Sequence, residues 1–572
     1  MSQTHHHLPA WAQSLLKKHS AKTTTQFILY NNVHDFVPLR QNNRVTFAEL
    51  GDFLAKEVFK DRSTVIFYDI SKGVYFIDAN MQSDFFKTIQ ITQQDLMKLP
   101  SVALKAIEIY VRLSIDKNKS VAIIIDHAET VVPATMSAAM SIEDRKCLVM
   151  LKKWANDTRY LKSNITVCLI TDNLADLNNR IVRNSATDKI EIDYPQESER
   201  LDYIRSFIEE EKSENRERTF MQYADVSPET IAHTMAGLNR RQLKMLVAFA
   251  RENNRRIDFP YLVEMKKEII EEECFGLLEI IEPRHTLDAV AGYEPIKVRL
   301  RNLAAAIKKG KLDAVPMGYL FSGPVGTGKT FIVLSFVGEI GIPCVKFMNF
   351  REQWQGVTEA NLEKILNLLR AMWPIGVIID EADAFLGNRD QQGDSGTSNR
   401  VFASLVSFMG DTSYRGKVIW FLITCRPDLL PIDMKRQGRA EEHISVFYPD
   451  TEEEKELLFQ AMVKKTGIRM EEGIRLKDVF DVRETISGAD MEALVTRVKL
   501  QQSLNDAPMV SRDMLKLVFE DFVPTNDPES IELQNLAAVI ECTSKSLLPT
   551  RYANADRAAI RRQFDELRAL TA

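Results

Sequence analysis

The sequence predicts an α/β protein built from two copies of one module. Each copy is a parallel sheet with flanking helices and a helical lid, and the first copy lacks a phosphate loop. Three observations predict this. GPVGTGKT, Gly323 to Thr330, is a phosphate-binding sequence between a strand and a helix. VIIDEAD, residues 377–383, reads as a buried strand delivering acids to its tip. IIIDHAE, residues 123–129, repeats that stretch 254 positions earlier, with His127 where the later copy has Glu381.

The chain has 572 residues, enough for roughly three to four domains. Apolar residues make up 45%, charged residues 27%, and the net charge is −6. That mixed, slightly acidic balance argues against a dedicated nucleic-acid binder. The six cysteines lie far apart without a CxxC pair, which argues against structural zinc and a disulfide framework and fits a reducing cytoplasm. No apolar run approaches the ~20 residues that cross a bilayer, so no membrane partner is expected. MSQTHHHLPAW lacks the apolar core of a signal peptide, and its three histidines read as incidental rather than as a metal site.

Gly323, Pro324, Val325, Gly326, Thr327, Gly328, Lys329 and Thr330 meet every fixed position of G-x-x-x-x-G-K-[ST]. MGYLFS before them reads as a strand, and FIVLSFVGEIG after them as a helix closed by Gly341. Glycines let backbone amides wrap a phosphate, and the helix N-terminus adds a favourable dipole. Lys329 is expected to reach the β- and γ-phosphates and Thr330 to ligate Mg²⁺, so ATP and Mg²⁺ are the expected cofactors. At the tip of VIIDEAD, Asp380 is expected to hold Mg²⁺ and Glu381 to polarise the attacking water.

These residues and those that follow resemble the clade of AAA+ ATPases that includes NSF and the proteasomal ATPases. FLITCRPDLL (421–430) resembles its first sensor strand, with Thr424 at the nucleotide. KRQGRAEEHI (435–444) resembles its arginine-finger segment, which places Arg436 and Arg439 as fingers. SGADMEAL (487–494) resembles its lid signature, which places Gly488 and Ala489 against nucleotide. TLDAVAGYE (286–294) resembles the stretch whose backbone, at Ala291 and Gly292, lines the adenine pocket. A finger guanidinium neutralises charge that builds on the γ-phosphate. In that family it comes from a neighbouring subunit, so the resemblance implies a ring, a homo-hexamer. Two departures stand out. Cys425 replaces the usual asparagine of the sensor strand, and a thiol is a poor hydrogen-bond partner. In REQWQGVTEANL (351–362), Trp354-Gln355-Gly356 stands where the family carries an aromatic-apolar-glycine pore loop. Trp354 and Gly356 are therefore pore-loop candidates, with a plain core or interface role the alternative for Trp354. GNRDQQGDSGTSN (387–399) reads as a surface loop.

The two halves align at a nearly constant offset. ITDNLADL (170–177) matches ITCRPDLL, Arg183 matches Arg436, YPQESER (194–200) matches YPDTEEE, and AGLNRRQLKMLV (236–247) matches ETISGADMEALV. Counting back 254 from the phosphate loop lands on DISKGVYF, Asp69 to Phe76, after the strand TVIFYD. Asp69, Val74, Tyr75 and Phe76 would then replace the two glycines, the lysine and the threonine. This copy is expected not to hydrolyse ATP. FILYNNVHDFVPL (27–39) reads as a strand and turn without a counterpart in the second half. The whole arrangement resembles bacterial and plastid tandem ATPases of the hypothetical chloroplast type.

The expected organisation is a tail (1–20), a degenerate module (21–260, with its lid from 196), a linker helix (261–284), an active α/β domain (285–450), its lid (451–525) and a helical tail (526–572). The leading functional expectation is an ATP-driven remodeller of an unidentified protein or complex, with the first module as scaffold or adaptor. The alternative is an ATP-binding assembly switch with slow hydrolysis and no threading; a nucleic-acid motor is disfavoured by the charge. HExxH is absent, so no protease activity is expected.

Overall fold

Strands buried on both faces must be apolar throughout, and the chain supplies such runs twice. TVIFYD and VIWFLIT are buried at every position. The computed structural model describes residues 8–41, 44–135, 139–213, 220–274, 277–348, 359–386, 397–523 and 527–571. They form two compact units, residues 1–269 with 358–371 and residues 270–357 with 372–572.

The first unit contains β1 (Gln26–Asn31), the hairpin β2 (Val37–Gln41) and β3 (Arg44–Ala48), and then β4 (Thr64–Asp69), β5 (Gly73–Tyr75), β6 (Val121–Ile125), β7 (Ile165–Ile170) and β8 (Thr187–Ile192). The sheet order is β8-β1-β7-β6-β4-β5, with only the edge strand β5 antiparallel to its neighbour. The second unit contains β9 (Leu278–Ile281), β10 (Gly318–Ser322), β11 (Cys344–Phe347), β12 (Ile375–Ile379), β13 (Val418–Thr424) and β14 (Glu442–Ser445). Its order is β14-β10-β13-β12-β11-β9, again with one antiparallel edge.

The two sheets match strand for strand, and this corrects the sequence alignment. The phosphate loop leaves β10, which lies between β13 and β14. The strand in that place in the first unit is β1, between β7 and β8. Registers agree: Leu29 lies opposite Ile170 as Phe321 lies opposite Ile423. The counterpart of GPVGTGKT is therefore NNVHDFVP, Asn31 to Pro38, and FILYNNVHDFVPL is not unmatched. TVIFYD is instead the counterpart of β11, and DISKGVYF follows it into the edge hairpin. The offset was not constant because 95 positions separate Asn31 from Asp126, whereas 57 separate Gly323 from Asp380.

Three expected boundaries also differ. The N-terminal stretch is not a free tail: helix Ala10–Ser20 buries Ala12 and Leu15 in one cluster with Phe27 and Leu29. The linker helix is helix Phe259–Glu273, which buries Tyr261 and Leu262 in the first lid, followed by the strand β9. The C-terminal segment is part of the second unit's core. Helix Pro528–Glu541 packs Leu533, Leu536 and Val539 around Phe447, and Cys542 and Leu547 join the cluster that holds Phe321 and Phe421. Among the described residues, no helix is long and apolar enough to cross a membrane.

Helix Pro528–Glu541 is pinned to β14 by polar contacts. Ser445 Oγ donates to Ala538 O at 2.7 Å. The His443 ring faces two carbonyl oxygens, Glu541 O at 2.9 Å from Nδ1 and Ala440 O at 3.0 Å from Nε2. Only the imidazolium donates to both. Burial opposes that charge, but the bonds to Glu541 outweigh it and raise the His443 pKa. A raised folded value stabilises fully below the unfolded value of about 6.5 and is lost as pH rises through the folded one. The urea midpoint of the second unit is therefore expected to fall as pH rises above about 6.5, and His443→Gln to flatten that part of the profile.

Candidate active site

The second unit brings most of the expected site residues together. The phosphate loop needs glycine where its backbone turns left-handed or meets another chain segment. Gly323 has φ +142°, and a Cβ there would lie 1.9 Å from Val446 O. Gly326 has φ +80°, and a Cβ there would meet Ser487 Oγ at 2.9 Å. The lid helix Gly488–Leu504 thus rests its first turn directly on the loop. Ser487 caps it, exchanging bonds with Asp490, and Ala489 N donates to Gly326 O at 3.3 Å. Small residues at 487–489 are what this approach permits.

Lys329 is buried and donates to Gly323 O and Pro324 O, both at 2.9 Å, and to Cys425 Sγ at 3.3 Å. Burial pushes its ammonium below the usual lysine range, and Cys425 and Asp380 pull it back. Thr330 Oγ1 donates to Asp380 Oδ2 at 3.3 Å. Glu381 is exposed at the strand tip with φ +48°, its N–H bonded to Asp380 Oδ1 at 3.0 Å. This donor set suits Mg²⁺, which takes one or two protein oxygens and leaves its remaining positions to water and phosphate. Loop, lysine, hydroxyl and acid together fit Mg²⁺-ATP.

Sequence reasoning missed several contributors. Lys346 on β11 sits 3.1 Å from the same Asp380 Oδ2. Thr424 Oγ1 donates to Asp383 Oδ1 at 2.6 Å, so the third acid of VIIDEAD holds Thr424 at the end of β13. The hydroxyl of Tyr293, directly after Ala291-Gly292, lies 3.1 Å from Thr327 O and 2.9 Å from Phe447 O, tying this turn to the loop. Asp383 lies within VIIDEAD and Tyr293 within TLDAVAGYE, so both were legible there; Lys346 carried no signal. Arg436 and Arg439 differ. The Arg436 side chain is 61% exposed beside Asp433, whereas that of Arg439 is 13% exposed and bonds Asp433 O. Trp354 and Gly356, with residues 387–396, lie outside the described residues.

In the first unit the same places hold different chemistry. His127 has φ +48° and its N–H bonds Asp126 Oδ1 at 3.0 Å, the geometry of Glu381 and Asp380. The loop, however, carries Val37 and Pro38 in place of lysine and threonine, and a β-hairpin replaces the helix that would face phosphate. Asp35 is buried against the lid. Its carboxylate accepts Arg240 N at 2.7 Å, Arg240 Nη1 at 2.8 Å and Arg241 N at 3.3 Å, at the start of lid helix Arg240–Glu252. An internal carboxylate thus sits where the loop meets the lid, and Phe36, just before the hairpin, and Phe47 within it pack against the lid cluster. His34 pairs with Asp172 at 2.8 Å, Asp172 standing where the second unit has Cys425. That bond raises the His34 pKa and, against burial, lowers that of Asp172.

Comparison with known proteins agrees with this division. Residues 2–193 match the AAA+ chaperone N-terminal Rossmann-like domain, and residues 198–275 match the second helical domain of AAA+ chaperones. Residues 319–448 match the ATPase family associated with various cellular activities, AAA. The chain is an AAA+ protein. Its relatives include the uncharacterized AAA domain-containing protein ycf46 of Trieres chinensis, 24% identical over 54% of this chain and 63% of that protein. ATP-dependent zinc metalloprotease FtsH 1 of Symbiobacterium thermophilum is 29% identical over 40% of each. Protein SAV of Sulfolobus acidocaldarius is 31% identical over 32% of this chain and 23% of that protein. The chain thus spans less than two thirds of the length of each of these relatives.

Removing one partner of a buried ion pair strands the other charge. Asp35→Ala is expected to lower the stability of the first unit by about 3–5 kcal/mol, whereas Glu49→Ala, which removes an exposed partner of Arg241, costs at most about 1 kcal/mol. Urea unfolding followed by tryptophan fluorescence distinguishes the two.

Proposed function

We propose that the second unit hydrolyses ATP, and that the chain works as a homo-hexameric ring that remodels a protein or complex, the first unit serving as scaffold or adaptor. The observation that carries the catalytic reading is the convergence of loop, Lys329, Thr330, Asp380 and Glu381 at the ends of β10 and β12. Gly323 to Thr330 would cradle the phosphates, with Ala291 and Gly292 on the adenine side and Gly488, Ala489 and Thr424 closing the site. Thr330 and Asp380 would hold Mg²⁺, which when bound neutralises charge on the transferred phosphoryl group. Glu381, exposed beside them, orients the attacking water. Arg436 supports the ring: its guanidinium stands in solvent at a segment that its own phosphate loop does not use.

The first unit's part rests on Asp35 and its hairpin. A lid held by a built-in carboxylate has no need of nucleotide to fix its posture, as a scaffold requires. Residues 2–193 and 198–275 match chaperone domains, which supports a role at a protein substrate.

Glu381→Gln is expected to bind ATP and lose turnover; wild-type phosphate release by this variant would remove the assignment. Arg436→Ala is expected to lower kcat about a thousandfold. Mixing it with Glu381→Gln should restore part of the activity, because Glu381→Gln subunits supply fingers to intact sites on Arg436→Ala subunits. Failure of mixing to restore any turnover speaks against the shared site, and light scattering of the ATP-bound Glu381→Gln form reads ring size.

A further inference from the structure

Helix Pro528–Glu541 touches both the phosphate loop and the arginine-bearing segment. At one end Val325 N donates to Gln534 Oε1 at 2.9 Å, so a side chain of this helix holds an amide of the phosphate loop. Tyr448 Oη donates to Val325 O at 2.6 Å, and the Val325 backbone is thereby gripped from both sides. At the other end the Glu541 carboxylate pairs with Lys435, the residue before Arg436, and lies 3.6 Å from His443. Lys435 also donates to Pro427 O at 3.0 Å, just past the sensor strand β13. Gln534 and Glu541 are seven residues apart, which places them on one helix face about 10 Å apart along the axis. Between them Ser445 ties the helix to β14.

We infer that this helix is a positioning element that transmits nucleotide occupancy of the phosphate loop to the arginine-bearing segment Lys435–Arg439, with Gln534 at its receiving end and Glu541 at its output end. The proposal rests on the reading of the second unit as an ATP site. Phosphate drawn into the loop must adjust the backbone around Gly326, and Val325 is the adjoining residue. A shift of Val325 N–H moves or releases Gln534. The helix is one rigid body on an apolar seat of Leu533, Leu536 and Val539, so the displacement reaches Glu541 and, through its carboxylate, Lys435. A subunit's own nucleotide then sets the posture of Arg436, the residue offered to the neighbouring site.

A second route exists, because β14 runs from the arginine segment to Val446 against Gly323. Backbone hydrogen exchange of residues 435–440 in the full chain, with and without ATPγS, separates the routes. Each protein is measured at a concentration shown to saturate it by titration with a fluorescent ATP analogue. In the wild type the nucleotide is expected to change exchange in this segment by about fivefold or more. Gln534→Ala is expected to reduce the change below about twofold. Gln534→Glu, which keeps an acceptor oxygen for Val325 N–H, is expected to retain it, which a general loss of packing would not allow. Gln534 is half-buried, so removing its amide leaves the apolar seat intact. An undiminished response in Gln534→Ala, or no response in the wild type that binds nucleotide, overturns the inference. A wild type that fails to bind the analogue removes the ATP-site reading itself, and this inference with it.

Discussion

Both units depend on one contact: the loop leaving the strand between β13 and β14, or between β7 and β8, meets the first turn of a lid helix. A helix N-terminus presents unsatisfied N–H groups and partial positive charge, so whatever lies there must be small or negative. In the second unit it is small. Gly326 and Ser487 approach so closely that a Cβ on the glycine would sit 2.9 Å from the serine hydroxyl. That closeness places the loop, the lid and the acids of β12 around one space. In the first unit it is negative. Asp35 supplies the charge itself and accepts two amides and a guanidinium. One joint thus packs small residues together in one copy and holds a carboxylate of the chain itself in the other.

The difference reaches beyond charge. A phosphate leaves after hydrolysis, and a lid that rests on it can move. A carboxylate attached to the chain stays, and Phe36 and Phe47 pack on the same lid cluster. Breaking the Asp35–Arg240 pair would strand a charge in a nearly closed interior, since the two side chains are 2% and 8% exposed. The joint of the first unit is thus held by the chain's own charge and packing, which suits the scaffold role proposed for it.

Much of this was legible in the sequence, and what was not has a physical cause. Local motifs report local geometry: GPVGTGKT, VIIDEAD and SGADMEAL name the loop, the acids and the lid turn because each needs those residue types within one turn of backbone. Strand identity is not local. TVIFYD and QFILYN are equally apolar, and only hydrogen-bonded pairing shows which of them lies between β7 and β8. An offset that held from Asp126 onward therefore chose the wrong strand, and with it the wrong lost loop. Lys346 and Gln534 were invisible for the same reason, since each acts on a residue brought near only by the sheet or by the helix packed on β14.

Asp126 and His127 show which part of the shared stretch is structural. A left-handed backbone costs a non-glycine residue roughly 1–2 kcal/mol, yet both copies adopt it, at His127 and at Glu381 with the same φ of +48°. In each, the aspartate before it accepts the following N–H at 3.0 Å. A purely catalytic conformation would have no reason to persist where the loop lacks lysine and threonine. The turn is therefore required by the sheet, as the way a buried strand sheds its last backbone donor onto its own side chain before the chain leaves the core. In the second unit the same turn presents the Glu381 side chain at the exposed strand tip. Histidine takes the same place in the first unit without disturbing the strand.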